Sequence, residues 1–155
     1  MPLAAVSSTL IHRRVDALRA NQDPAVIARV RSGWAVLAST QVMAGYSLLL
    51  PDPVVPHLNA LHGAVRTQFL GDMSALGDAL LEVTAAVRIN YAIFGNLDPA
   101  LHAHVLPRYA DEAESVRTQQ PWAHDWENAP RFDRAVHAGL IERIRAALMQ
   151  RGVIE

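Results

Sequence analysis

Residues 88–109 read RINYAIFGNLDPALHAHVLPRY, and this stretch decides the fold. Two β-type runs, Arg88 to Phe94 and Leu101 to Leu106, flank the segment Gly95-Asn96-Leu97-Asp98-Pro99-Ala100. Gly, Asn, Asp and Pro between runs of aliphatic and aromatic residues are turn chemistry between strands. Within the second run His102 and His104 lie two apart, and the strand repeat turns both imidazoles to one face. Leu101, Ala103 and Val105 take the other face, which reads as the buried one. Two neighbouring imidazoles make no hydrophobic core; they suit metal binding or proton and phosphoryl chemistry. Ala100 and Leu106 occupy the positions where a third ligand at this spacing would stand, so metal binding is the weaker option. Pro107-Arg108 is expected to end the strand and set one cation beside the histidine face. Ahead of the strand, Gly95 lets a ligand approach the backbone and Asn96 offers an amide to phosphate oxygens. The same pair is also ordinary turn chemistry.

Upstream, Ser7 to about Gln22 reads as a helix with Ser8 or Thr9 as its cap and Ile11, Val15 and Leu18 on one face. Asp23-Pro24 stops it. Val26 to Val30 and Trp34 to Leu37 read as strands split by a Ser32-Gly33 turn, and Tyr46 to Leu50 as a third that ends in Pro51-Asp52-Pro53. A long helix is expected from about Asn59 to Ala86, where Val65, Phe69, Met73, Leu76, Leu80 and Val83 recur at spacings of three and four. Gly71 and Gly77 weaken it, each by roughly 1 kcal/mol relative to Ala. Downstream, Ala110 to Gln120 reads as an exposed polar loop. A last helix is expected over 131–150, with Phe132, Val136, Leu140, Ile144 and Leu148 in step. Strands and helices segregated in this way predict an α+β fold: a five-stranded antiparallel sheet, a long helix after the third strand, and terminal helices. The chain reads as a single domain over 1–155, with its core at about 34–126.

The 155 residues carry 14 Lys+Arg, all of them Arg, against 15 Asp+Glu, a formal charge of −1. No basic field is present to hold nucleic acid by its backbone. The absence of lysine excludes Schiff-base chemistry and a phosphate-loop lysine, and zero cysteines exclude disulfides and thiol catalysis. Apolar runs such as Tyr46 to Leu50 fall far short of the roughly 20 residues a membrane-spanning helix needs. The opening MPLAAVSSTLIHRR does not read as a secretory signal, and a cytoplasmic location is expected. His12, His57, His62, His124 and His137 stand alone and read as surface or locally bonded imidazoles. Trp122 and Trp126 read first as packing residues, with cleft lining as the alternative.

The stretch Arg88 to Asn96, followed by Pro99-Ala100-Leu101-His102-Ala103-His104-Val105-Leu106-Pro107-Arg108-Tyr109, resembles the histidine triad family of nucleotide hydrolases and transferases. The family signature alternates histidines with apolar residues and often ends in Pro-Arg; here Ala100 takes the place of the first histidine. Gly45-Tyr46-Ser47-Leu48-Leu49-Leu50-Pro51 looks like the family's Gly-His-apolar-apolar-apolar-Pro strand, with Tyr46 in place of the histidine. Pro121-Trp122 and Trp126 look like a bacterial, diadenosine tetraphosphate hydrolase-like subgroup. The resemblance implies that His102 is the nucleophile toward the α-phosphorus of a nucleotide and that His104 bonds the phosphate or leaving oxygen. It gives Asn96, and less directly Asn90, to the phosphates, with Gly95, Ala100 and Arg108 completing the phosphate-binding set. The Ala100 backbone carbonyl would orient the nucleophile. Neither Ala38 nor Ser39 supplies the carboxylate that contacts ribose in the family. A small-molecule nucleotide partner and a homodimer are implied. No cofactor is required; a divalent cation can accompany a polyphosphate substrate.

Overall fold

A computed structural model describes residues 8–155, so the expected helix start at Ser7 lies outside the described residues. Five strands, β1 (Val26–Val30), β2 (Gly33–Leu37), β3 (Ser47–Pro51), β4 (Arg88–Ala92) and β5 (Ala103–Arg108), form one antiparallel sheet in the order β1-β2-β3-β5-β4. The last two strands therefore enter in reverse, and the histidine-bearing β5 lies inside the sheet between β3 and β4. The expected α+β architecture is met.

Strand β5 runs through Pro107 and Arg108 instead of ending before them. Pairing with β3 stops at Ser47 opposite Val105, while pairing with β4 continues to Arg88 opposite Arg108. Beyond Val105 the strand has a neighbour on one side only, and a proline without an N–H is tolerated there.

Among the described residues four α-helices accompany the sheet: α1 (Leu10–Arg19), α2 (Gly63–Val83), α3 (Glu114–Arg117) and α4 (Arg134–Gln150). Thr9 caps α1, accepting the His12 N–H, while the His12 ring reaches back to the Thr9 N–H. The region expected as the start of the long helix is a separate 3-10 turn, Leu58–Ala60, and Val65 points to solvent. The buried stripe of α2 starts at Phe69. Gly77 does not break the helix, because it is where the Tyr91 side chain lies on it: an added Cβ would fall 1.9 Å from the phenol oxygen. Asp133 caps α4 by accepting the Ala135 and Val136 N–H groups. The expected loop at 110–120 contains the single turn of α3.

The period of two along β5 divides its side chains between the two faces of the sheet, where three apolar clusters form. Val105 joins Ile27, Leu37, Leu76, Leu80, Ile144 and Leu148 beneath α2 and α4. Leu101 and Ala103 pack with Leu49 and Phe69. On the opposite face Leu106 joins Ile11, Val15, Leu18, Val36, Leu48 and Leu50 under α1. Helix α1 is tied to the sheet by Arg14, which pairs with Asp23 at 2.8 Å and donates to the Leu37 carbonyl at 2.8 Å. Helix α4 packs behind the sheet, away from the histidine face.

Candidate functional site

The strand begins at Ala103, not at Leu101 as expected, so His102 stands just ahead of β5 and His104 within it; their rings lie with centroids 5.0 Å apart and planes at 70°. Their side of the sheet is covered in part by α1, so both rings are half-buried. They line a cleft of about 520 Å³ together with Leu10, Ile11, Leu48, Phe94 and Trp122, and with Gly95, Asn96 and Asp98 of the connecting segment. Gly95 has φ +74°, a conformation that favours glycine, and it turns the chain from β4 toward the cleft. Asp98 accepts the Ile11 N–H at 3.1 Å, which fastens this segment to the first turn of α1.

The His102 Nδ1 lies 2.7 Å from the Ala100 carbonyl oxygen. A carbonyl only accepts, so Nδ1 carries the hydrogen and, in the neutral ring, Nε2 carries the lone pair. Ala100 is fully buried and contributes its backbone, not its side chain. His104 Nδ1 lies 2.6 Å from the Tyr46 hydroxyl. Trp122 meets the His104 ring edge to face at 5.3 Å and Phe94 likewise at 4.9 Å, while Trp126 stacks on Trp122 and turns its face or edge to Tyr46 at 5.6 Å. Trp122 therefore lines the cleft, while Trp126 packs behind it against Tyr46.

Burial in this aromatic setting, and after it the neighbouring His102, hold the His104 pKa down at about 4. The unfolded chain protonates this ring near 6.5, so between 6.5 and 4 the unfolded state binds more protons than the folded one. Stability therefore rises with pH across that window and is lost as pH falls through it. Denaturant titrations at pH 7 and pH 4.5 are expected to show a smaller acid loss in His104→Gln than in the native chain.

Two residues assigned to the phosphate set are placed elsewhere. Arg108 is buried, its Nε on the Glu112 carboxylate at 3.1 Å and its Nη atoms on Asn90 Oδ1 and the carbonyls of Val116, Arg117 and Gln119. Its donors are taken up inside the protein, and Asn90 is bound to it. Both follow β5 and β4 past the histidines to the far end of the sheet, where they tie down the 110–120 segment. His124 is not solitary either: its Nε2 lies 2.6 Å from Glu112 and its Nδ1 3.1 Å from the Pro121 carbonyl. Among the described residues no three His, Asp or Glu side chains gather as a metal site, and no helix is long and apolar enough to cross a membrane.

The sequence matches no protein-family model and no curated protein. Solved structures do match. A histidine triad protein from Bradyrhizobium japonicum superposes with TM-score 0.66 at 23% identity, over 84% of this chain and 94% of that one. One from Marinobacter aquaeolei VT8 gives 0.67 at 19% identity, over 93% and 98%. A Hit-like protein from Bartonella henselae gives 0.70 at 14% identity, over 94% and 99%. At such identities the likeness is one of backbone architecture, and it extends over nearly the whole chain: this protein has the histidine triad fold.

Proposed function

We propose that the chain is a histidine triad nucleotide hydrolase or nucleotidyl transferase that works through His102. The observation that carries this reading is the Ala100 carbonyl on His102 Nδ1, which leaves the Nε2 lone pair for the cleft. A bond forms between Nε2 and the α-phosphorus while the bond from phosphorus to the leaving atom breaks. Water then attacks the nucleotidyl-histidine, the N–P bond breaks, and the proton released from water balances the one taken up by the leaving group. The first histidine of the signature is dispensable in this scheme, since its position supplies a main-chain oxygen that alanine retains. The apolar side of the cleft, Leu10, Ile11 and Leu48, suits a nucleobase, and we assign Asn96, which also lines it, to a phosphate oxygen.

Diadenosine polyphosphates, nucleotidyl esters and nucleoside phosphoramidates share this reacting centre. Among the described residues that line the cleft none is cationic and one, Asp98, is acidic. With Arg108 turned inward, a polyphosphate chain would meet no counter-charge from the lining beyond a metal ion that it brought itself. We therefore rank the phosphoramidates and esters, which carry one phosphate charge in all, above diadenosine tetraphosphate, whose chain carries several. The homodimer belongs to the same reading: β4 is an edge strand, and Tyr91 on it and Val87 just before it are exposed.

The test is mononucleotide release from a panel of these substrates, with mass spectrometry of the acid-sparing quench for a nucleotide adduct on one histidine. Turnover with an adduct on the peptide carrying His102, and faster turnover of phosphoramidates than of diadenosine tetraphosphate, is the expected result. Binding without turnover of any member would replace this reading by that of a nucleotide-binding protein.

A further inference from the structure

The two imidazoles line one cleft and are chemically identical, so whatever distinguishes them lies behind the rings. Behind His102 stands the Ala100 carbonyl, an acceptor, at 2.7 Å. Behind His104 stands the Tyr46 hydroxyl at 2.6 Å, a group able to donate. We propose that Tyr46 is a positioning residue, whose hydroxyl donates to His104 Nδ1 and so presents the His104 Nε2–H to the cleft as a neutral hydrogen-bond donor.

Three observations support the direction of that bond. Tyr46 is 5% exposed, and its hydroxyl has no hydrogen-bond partner other than His104 among the described residues. Burial pushes the phenol pKa up from its ordinary 10, so the proton stays on oxygen and needs an acceptor. The His104 ring stays neutral down to about pH 4, so one ring nitrogen is an acceptor throughout the working range. The phenol is itself held, its ring at 21° to the His104 ring and edge-on to Trp126. The donor and the acceptor behind the rings thus give the two histidines opposite tautomers: a lone pair at His102 Nε2 and an N–H at His104 Nε2. The kinetic consequence rests on the nucleotidyl-transfer reading. There the His104 N–H bonds the leaving atom as negative charge builds on it, and the leaving group takes its proton from water. His104 keeps its own proton.

The test uses the full chain labelled with 15N at its histidine rings. The native protein is expected to show His104 Nδ1 unprotonated and Nε2 protonated, and Tyr46→Phe to shift the Nδ1 resonance through loss of the donated hydrogen bond. In kinetics, Tyr46→Phe is expected to lower kcat about tenfold for substrates with poor leaving groups and far less for good ones, with KM little changed. The loss is smaller than the hundredfold or more that follows removal of such a donor outright. A native spectrum with the proton on His104 Nδ1, or one that Tyr46→Phe leaves unchanged, overturns the proposal. So does an equal fall in kcat for every leaving group. The expected spectra combined with no turnover of any nucleotide uphold the tautomer assignment and sink the functional reading instead.

Discussion

Replacing His102 by alanine is expected to lower turnover by about a thousandfold or more while nucleotide binding survives. The magnitude follows from the role: removing the nucleophile of a covalent mechanism eliminates the low-barrier route, and what remains is binding and transition-state hydrogen bonding. His104 cannot take over. Its Nδ1 faces Tyr46 and its ring is held by Trp122, so no lone pair of that ring is free on the cleft side once Nε2 carries the proton. Binding should persist because the apolar lining from α1, β3 and Phe94 does not depend on the His102 side chain. A ligand at one hundred times its dissociation constant stabilises the folded state by about 2.7 kcal/mol. For a chain of this length that is a rise of roughly 5–10 °C in melting temperature. Native protein and His102→Ala are therefore expected to show the same ligand-induced shift with a nucleoside monophosphate, and only the former to release product. Turnover of the variant within tenfold of native would place the nucleophile elsewhere and end the nucleotidyl-histidine reading.

Strand parity made the histidine face legible from sequence, because residues two apart in a strand share a face whatever the neighbouring strands do. The succession of the five strands along the chain followed from turn chemistry at Ser32-Gly33, Gly45 and Gly95, whereas their order in the sheet did not. The ends of the periodic helices were less legible. Val65 and Val136 continue the apolar spacing of α2 and α4 yet lie in solvent, since periodicity reports what a helix offers and not where its partner stops. The walls of the cleft were hidden for a different reason. Tyr46 meets His104, Trp122 meets His104 and Trp126 meets Tyr46, through contacts between segments far apart in the chain. No local pattern encodes such contacts. The Pro-Trp segment after the histidine strand was the available signal for the tryptophans. Nothing in a single sequence distinguished a phenol facing solvent from one aimed at an imidazole.

Arg108 is the residue whose reading changed most, and its removal is expected to have the largest effect on stability. As a cation after the histidine strand it reads as a phosphate ligand; in the fold it is a buried hub. Its guanidinium bonds Glu112, Asn90 and three main-chain carbonyls, and Glu112 in turn accepts the Tyr109 N–H and pairs with His124. Burial pushes the Glu112 carboxyl up, but the Tyr109 N–H, His124 and Arg108 together hold it below its ordinary range. Arg108→Met would keep much of the apolar stem but leave a buried carboxylate and several carbonyls short of donors. Breaking a buried pair from one side costs about 3–5 kcal/mol, which for this chain length is a fall of roughly 10 °C or more in melting temperature. The loss would reach the cleft as well. The carbonyls that Arg108 holds belong to the segment ending at Gln119, and the next turn, Pro121–Ala123, carries Trp122 onto the His104 ring. Loosening that segment frees the aromatic wall, so kcat/KM should fall even at temperatures where the variant is fully folded. A phosphate ligand predicts another pattern, a large rise in KM at nearly unchanged melting temperature. Calorimetry of Arg108→Met alongside its KM separates the two, and an unchanged melting temperature would return Arg108 to the substrate.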